Sequence, residues 1–379
     1  MKILHLADLH IGKMIYEQSL LEDQKYMLQQ IIEIVEQEKI EAVLIAGDIY
    51  DRSVPPGEAV EVLKDFLNTL IKQLKVKVFM IAGNHDSKER LNFGSRILEN
   101  DGLYIQTNYD GQIRKVALSD QINVYLLPFL KPIEVRPYFP DEKIENYNDA
   151  MKCIMQNETI DSSKINLLMA HQFVTNCQNS PERCDSEVTP VGGIENVEAS
   201  NFDAFDYVAL GHIHGPQRIG KDTIRYAGTM LKYSFSEVNH HKSAVVITID
   251  ETTKQLDYAL LPLKPLRDMR VLKGPIQELL KPENYQGTNT DDYIKAILTN
   301  SEAIYDAIGQ MRKVYPHTLS LEIENCQTSF GQEEWQKLEK IKKKSEFELF
   351  EDFYQFQNNR PLDEEQTKMV QDAIQKVKE

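Results

Sequence analysis

Three apolar runs in the first quarter of the chain, Lys2–Ala7, Ala42–Ala46 and Val76–Ala82, each stop abruptly in polar residues. The polar groups are Asp8-Leu9-His10, Gly47-Asp48-Ile49-Tyr50-Asp51 and Gly83-Asn84-His85-Asp86. Between the runs lie stretches of helical periodicity, Ser19–Lys39 and Gly57–Gln73, the second opening directly after Pro55-Pro56, as suits a helix start. Buried strand, helix, buried strand, repeated, predicts a largely parallel sheet. In such a sheet the carboxyl ends of the strands gather on one edge. The three polar groups are therefore expected to meet there, and packing alone does not explain them, because unpaired carboxylates and imidazoles are costly to bury. Gly47 and Gly83 allow sharp turns without a Cβ penalty.

A further helix is expected at Lys88–Asn100, after which the texture changes. Short strands are predicted at Ile113–Leu118, Ile122–Leu127, Ile165–Ala170, Tyr207–Leu210, Thr223–Ala227, Ser243–Ile249 and Leu256–Leu261, with a helix near Glu145–Glu158 and a long polar loop at 175–201. The pattern implies an α/β fold: a four-layer αββα sandwich, two sheets face to face with helices outside. Pro262–Pro265 reads as a boundary, giving a main domain at 1–262, a smaller α/β domain at 263–330 and a helical, charged segment at 331–379. Strands are expected near Arg267–Leu272 and Leu319–Ile323. Lys337–Lys344 is basic and Glu346–Asp352 acidic; the basic run reads equally as a solvated helix face or a contact surface.

His171, ending a predicted strand, and Gly211-His212-Ile213-His214 complete the polar set. Residues two apart on an extended segment point the same way, so His212 and His214 can both reach one centre. Asp, His and Asn together suit Mn, Fe or Zn better than Ca or Cu(I). Two such ions ~3.5–4 Å apart clamp the attacking and leaving oxygens of an in-line phosphoester displacement. Asp48 is the expected bridge; Asp8, His10 and His214 would complete one metal site, and Asn84, His171 and His212 the other. His85 is expected to protonate the leaving oxygen or to stabilise charge on the phosphate, with Asp51 as the candidate that orients its ring. The other four histidines, His5, His240, His241 and His317, have no expected metal role, and His5 reads as a satisfied core residue. Arg52 and Arg90 read as surface or ion-pair residues more than as phosphate contacts.

The formal net charge of −16 over 379 residues argues, taken naively, against nucleic acid. Net charge describes the whole surface, however, and not one groove. The four cysteines, Cys153, Cys177, Cys184 and Cys326, lack tight metal spacing and read as free thiols of a cytoplasmic protein, although Cys177 and Cys184 share a loop and could pair in an oxidising setting. No apolar run reaches the ~18 residues of a membrane span, and the N-terminus lacks signal-peptide features.

The order Asp-x-His, Gly-Asp-x-x-Asp, Gly-Asn-His-Asp, His, Gly-His-x-His resembles that of calcineurin-like metallophosphoesterases. The flanking text is narrower. Residues 8–13 (DLHIGK), 83–95 (GNHDSKERLNFGS), 211–217 (GHIHGPQ) and 224–237 (IRYAGTMLKYSFSE) are similar to the SbcD family of nuclease subunits. The likeness covers 1–262 closely and the remainder in general layout. It implies a Mn-dependent nuclease acting on DNA ends, hairpins and single strands in DNA repair, recombination and replication. The implied activities are an ATP-dependent double-strand exonuclease with the SbcC ATPase and a single-strand or hairpin endonuclease. It further implies a homodimer through the helices near Gly57–Gln73 and Lys88–Asn100, within a heterotetramer. The C-terminal portion would be a cap over DNA plus a helical segment that grips the SbcC coiled coil. Asp51 departs from some relatives, which carry a histidine there. Two other functions compete: a small-molecule phosphoesterase on the same site, and a non-catalytic scaffold. The scaffold is disfavoured because no ligand of the set is missing.

Overall fold

A computed structural model describes residues 1–176, 180–187, 195–300, 304–324, 345–358 and 360–378. Cys177, Cys326 and the basic run Lys337–Lys344 lie outside these residues. The first part of the chain runs β1 (Lys2–Leu6), α1 (Leu21–Glu38), β2 (Ala42–Ala46), α2 (Gly57–Asn68), β3 (Lys77–Ile81) and β4 (Leu103–Gln106). It continues through β5 (Arg114–Ala117), β6 (Ile122–Leu127), α3 (Tyr147–Asn157), β7 (Ile165–His171), β8 (Tyr207–Gly211), β9 (Gln217–Ile219), β10 (Lys221–Tyr226), β11 (Ser243–Asp250) and β12 (Gln255–Pro262).

Two six-stranded sheets form, in the orders β12-β11-β1-β2-β3-β4 and β9-β10-β8-β7-β6-β5. From β1 to β4 the pairing is parallel, as the repeated strand–helix pattern requires. The hairpin β11–β12 adds to β1 antiparallel. In the second sheet β6, β7, β8 and β10 are mutually parallel. The strand period of two sorts the side chains: Ile3, Leu44, Phe79 and Ile81 meet Val124, Leu126, Leu167 and Met169 between the sheets, all at most 1% exposed. The outer face of the second sheet, Leu127, Leu168 and Val208, is covered by Met151 and Ile154 of α3. On α1 the buried residues Met27, Leu28, Ile31 and Val35 recur at helical spacing. Each large apolar side chain buried in this way contributes roughly 1.5–3 kcal/mol. His5 lies in this interior, bonded through Nδ1 to the Tyr207 hydroxyl at 3.1 Å and through Nε2 to Leu210 O at 3.2 Å, as a core histidine should be.

Some elements depart from the sequence expectation. The helix at Lys88–Asn100 is broken into Lys88–Asn92 and Ser95–Leu98, because Gly94 between them has a φ of 72°. The last turn of the helix after Gly57 widens over Thr69–Gln73, where Leu74 N bonds back to Thr69 O at 3.0 Å. The strand β4 was not anticipated; its four residues are too few to show a period.

The chain separates into two compact units, Met1–Arg270 and Val271–Glu379. The separation comes a little beyond Pro262–Pro265, because that stretch is tied to the first unit. Leu263 is buried and bonds to Lys242 O, Lys264 N donates to Gln30 Oε1 at 2.8 Å, and Arg267 pairs with Asp23 at 3.0 Å. Except for Met269 and Arg270, a sheet of β13 (Met269–Gly274), β14 (Tyr293–Leu298) and β15 (Thr318–Ile323) lies in the second unit, with a small core of Ile294, Ala296, Leu298, Met311 and Tyr315. Its described helices include Glu346–Asn358 and Glu364–Lys378. No helix among the described residues is long and apolar enough to cross a membrane.

Candidate active site

All nine residues singled out from the sequence come together, but at the joined edges of two sheets and not at the edge of one. Loops after β1, β2 and β3 bring Asp8, His10, Asp48, Asp51, Asn84 and His85 from the first sheet. His171 ends β7 and His212 follows β8 on the second, where Gly211 and His171 are register partners. A bond across the sheets joins the two edges: His171 Nδ1 donates to Ala46 O, at the end of β2, at 2.8 Å.

The loops are held in an unusual backbone state. Asp8 (φ 51°), His10 (φ 43°), Asp48 (φ 49°) and His212 (φ 101°) all sit on the left-handed side, where non-glycine residues are uncommon. Main-chain bonds keep them there: Asp8 N to Gly47 O at 3.1 Å, His10 N to Asp48 O at 2.9 Å, Ile11 N to Ile49 O at 3.0 Å. Such strain is characteristic of sites where function dictates geometry. Gly47 does take the positive φ expected of it, 85°. Gly83 is needed instead for space: a Cβ there would lie 2.1 Å from Asp48 Oδ1.

The donor atoms form two groups that share Asp48. In the first, His10 Nε2 faces His214 Nε2 at 3.2 Å, and Asp8 lies within 4.8 Å of both. In the second, Asn84 Oδ1 is 3.1 Å from His171 Nε2 and 3.0 Å from His212 Nδ1. Asp48 Oδ2 stands between them, 3.7 Å from His10 Nε2 and 3.4 Å from His171 Nε2. Donor atoms of Asp8, Asp48 and His171 also lie within 4.8 Å of one another.

Burial and charge set the protonation. Burial holds His10 well below the usual imidazole range and lowers His212 to about 3, so both present lone pairs at neutral pH. Burial also pushes Asp8 up, while the surrounding imidazoles outweigh burial at Asp48 and hold its carboxyl well down. His171 is lowered by burial, but the Asp48 and Asp8 carboxylates more than offset this and raise it to about 9. The field at its Nε2 thus attracts positive charge.

His85 sits at the rim, its side chain 23% exposed, with Nε2 4.0 Å from Asp48 Oδ2. Its Nδ1 is 3.0 Å from the main-chain oxygen of Asp51. Asp51, the candidate for orienting this ring, thus meets it through the main chain, while its carboxylate bonds to Lys13 Nζ at 2.7 Å, stands 3.8 Å from His10 Nδ1 and lies within 4.8 Å of a His85 ring nitrogen. Arg52 is exposed, with Nε 3.7 Å from Asp51.

A scan of protein families matches residues 1–216 to the calcineurin-like phosphoesterase model. The chain belongs to this family. A second model, described as the type 5 capsule protein repressor C-terminal domain, matches residues 265–358. The SbcD subunit of nuclease SbcCD from Staphylococcus epidermidis is 37% identical over 377 residues, which is 99% of this chain and 98% of the relative. The chain thus also falls in the SbcD family, and is a metal-dependent phosphoester hydrolase. Among solved structures, a dimetal phosphatase from Danio rerio aligns with a TM-score of 0.41 at 13% identity, over 70% of this chain and 99% of that one.

The donor set fits two divalent cations. Asn84 Oδ1, His171 Nε2, His212 Nδ1 and Asp48 Oδ2 converge at distances that suit atoms sharing one electrophile. On the other side, two imidazole Nε2 atoms face each other, and neither is taken up by a carbonyl behind it.

Sequence reasoning missed the residues that brace these loops. Asp86, quoted in a motif without a role, accepts from Gly83 N at 2.9 Å, Tyr50 N at 3.0 Å and Ile49 N at 3.1 Å, tying the second loop to the third. Burial, with Asp48 nearby, raises its carboxyl to about 6. Gln24 of α1 donates to His10 O at 2.8 Å, and the Tyr233 hydroxyl donates to Leu9 O at 2.6 Å. The available signal for Gln24 was its place at helical spacing with Met27, Leu28 and Ile31; nothing local marked Tyr233.

Proposed function

We propose that this chain is the nuclease subunit of an SbcCD-type complex, hydrolysing phosphodiester bonds at DNA ends and hairpins with two bound Mn2+ ions. The observation that carries the reading is the two-lobed donor set, Asp8, His10 and His214 beside Asn84, His171 and His212, with Asp48 between. The full-length likeness to an SbcD nuclease subunit supports DNA as the substrate and an SbcC-type ATPase as the partner.

Bound cations supply charge neutralisation and an activated water. The protein's own residues do the rest. Asp48, with Oδ2 between His10 Nε2 and His171 Nε2, would serve both cation positions. Asp86 keeps the loops carrying Asp48 and Asn84 in register. His85 keeps Nδ1–H on the Asp51 carbonyl and holds Nε2 4.0 Å from Asp48 Oδ2, from where it delivers a proton to the leaving oxygen. Its main-chain N–H donates to Asp48 Oδ1 at 2.9 Å, which couples its position to the bridge.

The chain acts as a homodimer within a heterotetramer, in the cytoplasm. The dimer reading is supported by exposed apolar side chains on the predicted surface: Val60 of α2, Phe93 (88% exposed) and Ile97 (76% exposed), beside a cleft of about 860 Å³. The second unit would cap DNA, and the helices at its end would bind the partner.

The deciding experiment is Mn2+-dependent digestion of end-labelled duplex and hairpin DNA by the purified chain, alone and with the ATPase partner and ATP. Cleavage that rises with partner and ATP is the expected result. Turnover of an aryl phosphodiester with no DNA cleavage under either condition would move the assignment to a small-molecule phosphoesterase.

A further inference from the structure

The segment 180–187 lies in what reads from sequence as a featureless polar loop, yet it is pinned to the site at several points. Glu182 N donates to Gln217 Oε1 at 2.9 Å, and Gln217 Nε2 returns a bond to Glu182 O at 3.0 Å. Asp185 N donates to Ser236 Oγ at 2.9 Å, and His214 N donates to Glu187 Oε1 at 2.8 Å. Held in this way, Ser186 has Oγ 2.7 Å from His214 Nδ1 and 2.6 Å from Glu237 Oε1.

Glu237 is fully buried. It accepts from Tyr233 N at 3.1 Å and, through its other oxygen, from Lys242 Nζ at 2.6 Å. Lys242, itself buried, also donates to His214 O at 2.8 Å and Thr229 Oγ1 at 2.7 Å. A buried carboxylate surrounded by donors and paired with a buried ammonium acts only as an acceptor. The Ser186 hydroxyl therefore gives its proton to Glu237, and its oxygen must accept from His214 Nδ1–H. That places the lone pair of His214 on Nε2, the atom facing His10 Nε2 at 3.2 Å.

We propose that Ser186, backed by the buried Glu237–Lys242 pair, is a positioning residue that fixes the tautomer and ring orientation of His214 for divalent-cation binding. The inference rests on the two-cation reading of the site. Ligating histidines generally donate their second ring N–H to an oxygen, and loss of that partner costs about 10–100-fold in metal affinity. Here the partner comes from a separate loop, so cation binding and the position of segment 180–187 are linked.

The test is calorimetric titration of the full chain with Mn2+, using wild type, Ser186→Ala and Ser186→Thr, with urea unfolding in chelator as a control on the fold. Ser186→Ala is expected to weaken one of the two Mn2+ equivalents by about 10–100-fold with little change in unfolding midpoint, because Ser186 is a half-buried loop residue. Ser186→Thr, which keeps the hydroxyl, is expected to restore most of that loss. Wild-type Mn2+ affinity in Ser186→Ala, or equal losses in both variants, would overturn the proposal while leaving the two-cation reading intact. A wild-type chain that binds no Mn2+ would remove the two-cation reading itself, and this inference with it. Glu237→Gln gives a second route: it keeps an acceptor but loses the charge, and is expected to weaken the same equivalent if the variant folds.

Discussion

His85 is oriented by Asp51, through the Asp51 backbone: Nδ1 of the ring lies 3.0 Å from the main-chain oxygen, while the Asp51 carboxylate is bonded to Lys13. The residue type at 51 can therefore change without releasing the ring, whereas the loop path cannot. His85→Ala is expected to lose about 10²–10⁴-fold in DNA cleavage while binding Mn2+ normally, in line with the removal of a general acid. Asp51→Asn is expected to stay within about tenfold of wild type, a smaller loss than removal of the acid itself. Single-turnover cleavage rates, with Mn2+ affinity measured in parallel, check both. Equal losses in the two variants would restore the carboxylate as the orienting group.

Gly83→Ala should abolish Mn2+ binding although Gly83 donates no ligand. Its Cβ would fall 2.1 Å from Asp48 Oδ1 and 2.3 Å from Asp48 N, and the neighbour that would have to move is the expected bridging residue. Mn2+ calorimetry on the folded variant is the measurement, and unaltered binding would show that the loop can yield.

Mn2+ binding should release protons near neutral pH and tighten as pH rises. In the metal-free chain, burial lowers His171 but Asp48 and Asp8 raise it to about 9, so below that pH Nε2 carries a proton that a cation must displace. Affinity should climb with pH through the neutral range and level off near 9. Titration at fixed pH in buffers of different ionisation enthalpy reads the proton count, and a count of zero would contradict the shift.

Asp86→Ala should impair Mn2+ binding from outside the donor set. It leaves three main-chain N–H groups of the second and third loops without their acceptor, at a cost of about 1–3 kcal/mol for each buried group. A urea midpoint well below wild type, together with weakened Mn2+ binding, is the expected pair of results.

Phe93→Asp should shift the chain from dimer to monomer at micromolar concentration. Phe93 is 88% exposed beside Val60, Ile97 and the cleft along α2, and a charge there opposes burial in an interface. Sedimentation analysis of wild type and variant decides it; a monomeric wild type would remove the dimer reading.

Much of this molecule was legible in its residues. The apolar runs ending in Asp-Leu-His, Gly-Asp and Gly-Asn-His placed those groups on one sheet edge, because parallel strands share a carboxyl end. The presence of an Asp, Asn and His donor set was also legible, because hard oxygen and imidazole nitrogen ligands suit divalent cations. Short elements such as β4 were not legible, since four residues carry no readable period.

Only the tertiary structure decided that the site joins two sheets, through His171 Nδ1 on Ala46 O. It also decided that Asp8, His10, Asp48 and His212 hold left-handed backbone angles. Local sequence preference runs against those angles by roughly 1–2 kcal/mol per residue. They persist because bonds from Gly47 O, Asp48 O, Asp86 and Gln24, distant in sequence, hold the loops in place. The sequence alone determined which chemistry the chain carries; long-range hydrogen bonds, which no local pattern encodes, decided how its donor atoms meet.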